Sequence, residues 1–330
     1  MAKYIGKRIL YSIFILLGVS MIIYFLIRLM PVDFIQDKIN AINQGGATVS
    51  EETVQAMYTM YGLGDNSIKG ILSGYFNWLK ALAQGDLGTS FVYGIPVADV
   101  IFEHMGISFA IAFIATIFEF LIAIPLGITA ATHQYSIRDY VVTILVMIGI
   151  SLPSFFFGQM LKNVLALKLG WFPASGLVDA TASYTGFSLL VDYARHCFIP
   201  VLTVVILSIG ARMRMTRANM LEVMNSDYIR TARAKGLKES VVINKHAFRN
   251  TLIPLVTSLA GLLPSLFSGA IITEQVCDRP GIGNIALDAM NRGDIPFIMG
   301  YNMFLALLSV LGVLLADLMY AVVDPRVKLE

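Results

Sequence analysis

The chain has 330 residues, of which 57% are hydrophobic and only 14% are charged, and its mean hydropathy is +0.73. A water-soluble domain carries a larger charged fraction, so the composition indicates a membrane protein. The formal net charge of +2 is too small for a nucleic-acid-binding protein, and the positions of the basic residues are more informative than their sum.

Six apolar runs are long enough to cross a hydrocarbon core about 30 Å thick, which takes roughly 20 helical residues. An even number of spans leaves both termini on one side, and the positive-inside rule predicts that this side is the cytoplasm. The first run is interpreted as a retained helix, because no small-residue cleavage site follows it. The six runs are approximately Ile9 to Met30, Ile107 to Ala131, Tyr140 to Leu165, Phe198 to Met213, Leu252 to Val276 and Phe297 to Val323.

The segment between the first two spans is too polar to cross the membrane and too patterned to be a linker. Thr48 followed by Glu51 fits a capping box, and Gly62 predicts the end of the helix that follows. A second helix is predicted from Ile68 to Gly85, where apolar residues recur at helical spacing. These helices pack on the outer membrane face or meet an external partner, and packing is the favoured interpretation.

The predicted elements divide the chain into three parts. Residues 1–30 are an N-terminal transmembrane helix, and residues 31–105 are an extracytoplasmic helical insertion. Residues 106–330 are the core membrane domain, which contains a cytoplasmic loop at residues 214–251.

Polar residues within the predicted spans are candidates for lining a pathway, because ionisable groups in lipid are costly unless they face water or a partner. Glu119 lies midway in the second span, where a pathway role competes with a hydrogen bond between helices. Asp317, near the end of the sixth span, is predicted to be a structural partner of a basic residue. Prolines interrupt three spans and leave carbonyl groups without their helical donors. The further lining candidates near these prolines are Ser151, Ser154, Ser265 and Thr273.

The chain lacks the sequence motifs of ATP hydrolysis and of metal catalysis. No G-x-x-x-x-G-K-[ST] phosphate-binding loop, no HExxH and no CxxC occurs, and the four histidines are scattered. The sequence therefore predicts no catalytic residue, no metal site and no cofactor in this chain.

The basic loop between the fourth and fifth spans is the most informative segment. Ser226 or Asp227 can cap a short helix from Tyr228 to Lys235, and Gly236 supplies the left-handed position that ends it. A second helix is predicted from Glu239 to Arg249. Composition alone leaves two interpretations even, namely a surface for another protein and an anchor on anionic headgroups.

Short motifs along nearly the whole chain indicate a family. In the basic loop, Arg230, Thr231 and Ala232 are followed after three residues by Gly236, and the segment closes on Leu252, Ile253 and Pro254. The other motifs are Gly85 to Phe91, Pro96 and Val97, Pro125 to Gly127, Ser151 to Phe155, Gly170 to Gly176, Glu274 with Pro280 to Gly283, and Asp324 to Arg326.

In this order the motifs resemble the permease subunits of dipeptide and oligopeptide ABC importers. Arg230, Thr231 and Ala232 take the positions of the EAA loop, with Arg and Thr replacing the general Glu and Ala, as in the peptide family. Val32 stands where the family often has a glycine, which puts only that local turn in question.

The resemblance implies an all-α polytopic membrane protein with six transmembrane helices of type I ABC importer permease architecture. Such a chain forms half of a translocation path for peptides in a bacterial-type cell (inner) membrane. The implied partners are a second homologous permease chain, two ABC ATPase subunits that bind ATP and magnesium, an extracytoplasmic solute-binding protein and membrane lipid. Import of nickel or oligosaccharides by the same architecture stays open, and a stand-alone carrier or enzyme is a remote alternative.

The resemblance also implies roles for residues. Glu274, Pro280, Gly281 and Gly283 are expected at the outer mouth or in contact with the binding protein. The ATPase-coupling interface is expected at Asp227, Tyr228, Arg230, Thr231, Ala232, Arg233, Ala234, Lys235 and Gly236.

Overall fold

The computed structural model describes residues 2–28, 39–41, 43–44, 49–61, 67–179, 181 and 184–323. Most of these residues are helical. π-Helical turns at Lys162–Lys168 and Val242–Ala247 continue α6 and join α9 to α10, and the 3-10 turn Ser258–Gly261 joins α10 to α11. In chain order the helices are α1 (Ala2–Arg28), α2 (Glu51–Tyr61), α3 (Ile68–Ala83), α4 (Val97–Thr132), α5 (Ile137–Ser151), α6 (Ser154–Leu161), α7 (Phe187–Met224), α8 (Asp227–Ala234), α9 (Glu239–Val241), α10 (Phe248–Thr257), α11 (Leu262–Phe267), α12 (Ile271–Val276), α13 (Ile282–Arg292) and α14 (Ile295–Val323).

Four of the described helices, α1, α4, α7 and α14, are long and apolar enough to cross a membrane. A fifth span results if α5 and the helix Ser154–Lys168 are counted together, although they meet at 98°. Pro153 stands at this bend, where it can neither donate a backbone hydrogen bond nor let the preceding residue stay helical. The prediction of an all-α membrane protein with several apolar helices is confirmed.

The predicted fifth span, residues 252–276, is divided among α10, α11 and α12 instead of forming one helix. The turn Ser258–Gly261 interrupts it first. Gly269, with φ of +73°, then separates α11 from α12, because a left-handed residue cannot continue a right-handed helix.

Two spans are longer than hydropathy predicts. α4 begins at Val97, ten residues before the predicted Ile107, and its first turns are buried against α13 and α14. α7 runs over 38 residues, because polar side chains in its first turns have partners within the protein. His196, for example, lies 3.3 Å from the carboxylate of Asp192 in the preceding turn.

α7 is the central helix, and glycines bring it close to both neighbours. A Cβ atom on Gly127 of α4 would lie 2.7 Å from Cβ of Thr216 and 2.9 Å from the carbonyl oxygen of Met213. A Cβ atom on Gly149 of α5 would lie 3.0 Å from the carbonyl oxygen of Ile206. Small residues of this kind let helices approach backbone to backbone in membranes. The three helices α4, α5 and α7 therefore pack as one block.

α3 packs against α1 through aromatic side chains. The ring of Tyr24 stacks on that of Trp78 with centroids 6.0 Å apart, and the hydroxyl of Tyr75 lies 2.9 Å from Oγ of Ser20. Gly85, with φ of +82°, follows the end of α3 as predicted. The chain itself thus covers the side of α3 that carries Tyr75 and Trp78, whereas Leu72 and Phe76 are exposed. Packing of this segment on the outer membrane face stays a prediction.

α2 is the first helix predicted for the insertion. Glu51 and Glu52 lie in its first turn, where negative charge interacts favourably with the helix dipole. The predicted capping residue Thr48 and the predicted helix end at Gly62 lie outside the described residues, as do Val32 and the motif at residues 324–326.

α4 connects the two ends of the bundle over about 50 Å. Near its start, Val97 packs in a buried cluster with Ile282 and Phe297. Near its end, Ala131 packs in another buried cluster with Ile229 of α8. We call the end around α8 the basic end and the end around the start of α4 the opposite end.

Candidate functional site

The short helix predicted in the basic loop is confirmed as α8, Asp227–Ala234. Gly236 has φ of +73° and follows the helix, as predicted for a left-handed terminating residue. Ser226 occupies the N-cap position, but its side chain caps no backbone amide; its hydroxyl donates to the carbonyl of Val223 at 2.5 Å. The second predicted helix begins at Glu239 as expected and continues with changed helical geometry into α10.

α8 has one buried face and one exposed face. Ile229 is fully buried and Ala232 is 6% exposed, and both pack with Met220 of α7 and with Val242 and Ala247. The prediction that Ala232 belongs to the surface offered to another protein is therefore wrong for this conformation, since three-residue spacing from Ile229 turns it towards the core. The other predicted interface residues are exposed: Asp227, Tyr228, Arg230, Thr231, Arg233, Ala234, Lys235 and Gly236.

Positive charge dominates the exposed face of α8. Arg230 is 3.4 Å from Asp227, and both side chains are mostly exposed, so this ion pair leaves the guanidinium accessible. Arg233 pairs with Glu239 at 2.7 Å and ties α8 to α9. The hydrogen bond from Arg233 lowers the pKa of the Glu239 carboxyl, and the same bond raises the pKa of Arg233. The pair therefore stays ionised at neutral pH.

Glu119 is paired within the bundle. Its carboxylate accepts a hydrogen bond from Nε of Arg212 at 2.9 Å, and the residue is 8% exposed. This geometry agrees with the alternative of a bond between helices, here α4 and α7. Asp317 lies 3.0 Å from Arg8 of α1, which confirms the prediction of a basic structural partner.

The other lining candidates have different surroundings. Ser151 and Ser265 are exposed, and each hydroxyl donates to a carbonyl in its own helix. Ser154 is half-buried and begins α6, whereas Thr273 is only 4% exposed. The structure does not bring these four side chains together with Glu119 into one group, and their pathway role stays a prediction.

Glu274 is fully buried at the opposite end. Its Oε1 accepts hydrogen bonds from Oγ of Ser108 at 2.6 Å and from the amide of Ala270 at 3.1 Å, and its Oε2 accepts one from the amide of Asn284 at 3.1 Å. A carboxylate with three donors compensates much of its lost hydration. Glu274 therefore holds α4, α12 and α13 together.

The predicted mouth turn is folded around this carboxylate. A Cβ atom would lie 2.5 Å from the Glu274 carboxyl if placed on Gly281, and 2.9 Å from it if placed on Gly283. Both glycines are buried, and the carbonyl of half-buried Pro280 lies 2.9 Å from Nδ1 of His104. In this conformation Glu274 and both glycines stabilise the turn, which leaves Pro280 as the accessible residue of the four.

Sequence reasoning missed Asp294 at the opposite end. This fully buried carboxylate accepts hydrogen bonds from the hydroxyl of Ser90 and from the amides of Phe91 and Val92, and it caps α14 through the amide of Phe297. Burial raises its pKa, although these hydrogen bonds act in the other direction. The available signal was an Asp three residues before a helical amide, since Asp is a favoured N-cap residue.

The described residues contain no group of three or more His, Cys, Asp or Glu side chains that could hold a metal ion. The geometry of the site, a rigid basic helix with one exposed face, suits contact with another macromolecule.

Residues 123–329 match the model of a protein family described as the binding-protein-dependent transport system inner membrane component. The chain belongs to this family. Its members are permease subunits, so the chain is a multi-pass membrane protein and a transporter component, and it is not an enzyme.

Among curated proteins, the permease is similar along its whole length to peptide transport proteins. It is 36% identical over 329 residues to the oligopeptide transport system permease protein AppB of Bacillus subtilis (strain 168), with 99% of this chain and 100% of the relative covered. It is 31% identical over 345 residues to the dipeptide transport system permease protein DppB of Escherichia coli (strain K12), with 99% of each chain covered.

Among solved structures, the permease resembles a chain of the MetNI methionine ABC transporter described in inward-facing conformations. The TM-score is 0.52 at 18% identity, and the match covers 68% of this chain and 96% of the other. This likeness concerns the fold, and it supports the predicted type I ABC importer permease architecture. Membership of the binding-protein-dependent transport family, and not this likeness, implies that the permease functions with other components of an ABC transporter.

Proposed function

We propose that this chain is one of two permease subunits in an ATP-driven importer of peptides, and that α8 is its coupling helix to a separate ATPase. The observation that carries the proposal is the two-sided character of α8. Its buried face joins the bundle through Ile229 and Ala232, while its exposed face presents Tyr228, Arg230 and Arg233 beyond the apolar spans.

The proposed complex contains this chain, a second homologous permease chain, two ABC ATPase subunits that bind ATP and magnesium, and an extracytoplasmic solute-binding protein. The basic end faces the cytoplasm, because translocation of the Arg- and Lys-rich loop would violate the positive-inside rule. Both termini are then cytoplasmic, and α2, α3 and the turn at Pro280 lie outside the cell. Peptide is the proposed cargo, since the relatives aligned over the whole chain are named for oligopeptide and dipeptide transport.

The proposed mechanism is mechanical. Closure of the two ATPase subunits moves α8 as a rigid body, which is an established type of conformational switch. The movement passes into α4 and α7, because Ala131 and Met220 share a buried cluster with α8. The two permease chains then change from an inward-open to an outward-open arrangement.

The test is a pair of substitutions at Gly236. No atom lies within 4 Å of a Cβ built there, but its φ of +73° strains any β-branched residue. We expect Gly236→Val to lower binding-protein-stimulated ATP hydrolysis by the reconstituted complex about tenfold, because a strain of about 1–2 kcal/mol displaces the exposed face.

Gly236→Asn is the matched control, since Asn tolerates the left-handed conformation, and it should retain stimulation. Membrane insertion should be unchanged in both variants. Equal stimulation in wild type and Gly236→Val, or failure of any ATPase to co-purify with the wild-type permease, would contradict the assignment. Mass spectrometry of the ligand bound to the purified binding protein tests the cargo, and a metal ion or sugar in place of peptide would refute that part.

A further inference from the structure

Arg212 of α7 connects three parts of the bundle within the apolar region. Its Nε donates to Oε1 of Glu119 on α4 at 2.9 Å, and its Nη1 donates to Oγ of Ser258 at 2.7 Å. The guanidinium carbon also lies 4.6 Å from the centroid of the Phe120 ring. The planar fork of an arginine makes these contacts simultaneously, which a lysine cannot do.

Ser258 lies where the helical segment after the basic loop changes its geometry. It is the first residue of the 3-10 turn Ser258–Gly261, which separates α10 from α11. Its hydroxyl accepts the bond from Arg212 while it donates to the carbonyl of Leu255 at 2.6 Å. A 3-10 turn between two α-helices is a common position for a hinge. Arg212 thus holds the segment at the residue where it can bend.

The path from α8 to Arg212 is continuous. α7 has no break between Arg212 and Met224, a distance of about 18 Å, and only Asn225 and Ser226 separate α7 from α8. Met220 of α7 packs in the same buried cluster as α8. A displacement of α8 therefore reaches Arg212 through a single rigid helix.

We propose that Arg212, with Glu119 and Ser258, is a latch that passes movement of α8 to the hinge between α10 and α11. This inference rests on the proposed function, in which α8 receives its movement from an ATPase. Arg212 is a positioning residue: it moves with α7, pulls on Ser258 and changes the angle between α10 and α11. Glu119 compensates the guanidinium charge, because an unpaired charge in an apolar interior is costly.

A second ion pair on α7 provides a control. Nε and Nη2 of Arg217 donate to the two carboxylate oxygens of Asp139 on α5 at 2.9 and 2.8 Å. This pair joins helices that already pack closely. Among the residues that the structure describes, neither side chain has a hydrogen bond to the segment around Ser258. Arg217→Lys is therefore a matched control for Arg212→Lys, because it makes the same side-chain change on the same helix.

The experiment measures uptake of a fluorescent tripeptide per ATP hydrolysed, with the complete complex in proteoliposomes. We expect Ser258→Ala to lower this ratio about tenfold, the typical effect of losing a hydrogen bond to a charged group. Arg212→Lys should lower it at least as much. Adding Ser258→Ala to Arg212→Lys should cause no further loss, because both changes interrupt the same connection.

Two variants should keep the wild-type ratio. Ser258→Thr retains the hydroxyl, and Arg217→Lys leaves the latch intact. A loss in Ser258→Thr equal to that in Ser258→Ala would overturn the latch, because packing and not the hydroxyl would then be responsible. Wild-type ratios in both Ser258→Ala and Arg212→Lys would also overturn it.

The two proposals fail in different ways. If Gly236→Val uncouples the complex while the latch variants behave as wild type, the latch alone is refuted. If no ATPase binds the wild-type permease, the coupling role of α8 is refuted and the latch with it.

Discussion

The two ends of the bundle use charged residues in opposite ways. At the opposite end, Glu274 and Asp294 are fully buried, and amide and hydroxyl donors of the same chain satisfy both carboxylates. At the basic end, Arg230 and Asp227 are largely exposed, and their mutual distance of 3.4 Å gives a weak surface contact. Buried charge fixes one end internally, whereas exposed charge leaves the other available to a partner.

This difference indicates that one end stabilises the arrangement of the helices, whereas the other end is available for contact with another protein. The opposite end keeps α4, α12, α13 and α14 in fixed relation, because each buried carboxylate receives donors from more than one element. At the basic end the inner face of α8 packs through Ile229, and its other face is exposed. Substitutions at the opposite end should consequently lower stability, whereas those at the basic end should mainly affect contact with a partner.

The largest expected effect on stability is at Asp294. Asp294→Asn places an amide NH2 among N–H and O–H donors. We therefore expect the free energy of unfolding to fall by about 2–4 kcal/mol. The melting temperature of the purified protein in detergent measures it. Asp288→Asn is the control, because Asp288 is a partly exposed member of an ion pair with Arg292. Equal melting temperatures for the two variants would contradict the comparison.

A smaller loss is expected at Gly281. Its φ is −81°, so alanine meets no backbone strain, and the effect is steric contact with the Glu274 carboxyl at 2.5 Å. We expect Gly281→Ala to lower the free energy of unfolding by about 1–3 kcal/mol, seen as a lower melting temperature in the same assay. Gly106→Ala in α4 is the control, since no atom lies within 4 Å of its Cβ position and alanine favours a helix. Greater damage from Gly106→Ala would argue against a tightly packed turn.

The smallest effect is expected at the basic end. Glu239→Gln removes the exposed ion pair with Arg233. We expect this change to lower the local stability of α8 by about 0.5 kcal/mol or less. Hydrogen exchange of the α8 amides in the isolated permease measures it. Because Arg233 lowers the pKa of Glu239, the contribution is complete above the ordinary glutamate pKa of about 4.3 and is lost as pH falls through the lowered value.

The expected difference between wild type and Glu239→Gln is therefore constant around neutral pH and smaller at high salt, which screens exposed charges. A difference as large as that for Asp294→Asn would mean that the pair holds the basic end together.

Local signals in the sequence were sufficient for elements that depend on local interactions. α3 and α8 were predicted within one or two residues of their ends, because Gly85 and Gly236 mark the left-handed residues that follow them. The fold class was also predictable, since apolar runs of membrane length leave few alternatives. The exposure of Arg230 followed from its charge.

Features that depend on distant contacts were not predictable. The span predicted from hydropathy is shorter than α7, because unpaired arginines are unfavourable in a membrane span. In the structure Arg212 pairs with Glu119, and Arg217 pairs with Asp139, each on a neighbouring helix. Asp294 finds its donors about two hundred residues earlier in the chain. The spacing of Ala232 from Ile229 places both residues on one face of α8, but nothing local in the sequence shows that the bundle covers that face. A single sequence does not specify these pairings, because each requires the folded arrangement of two elements.

The glycine contacts along α7 have a practical consequence for following this permease in motion. Gly127 and Gly149 leave no space for a larger side chain against the backbone of α7, so cysteines carrying spin labels or dyes placed there would force the helices apart. Reporter groups belong on exposed positions outside the proposed coupling surface of α8, such as Leu145, where a label disturbs no close contact between helices.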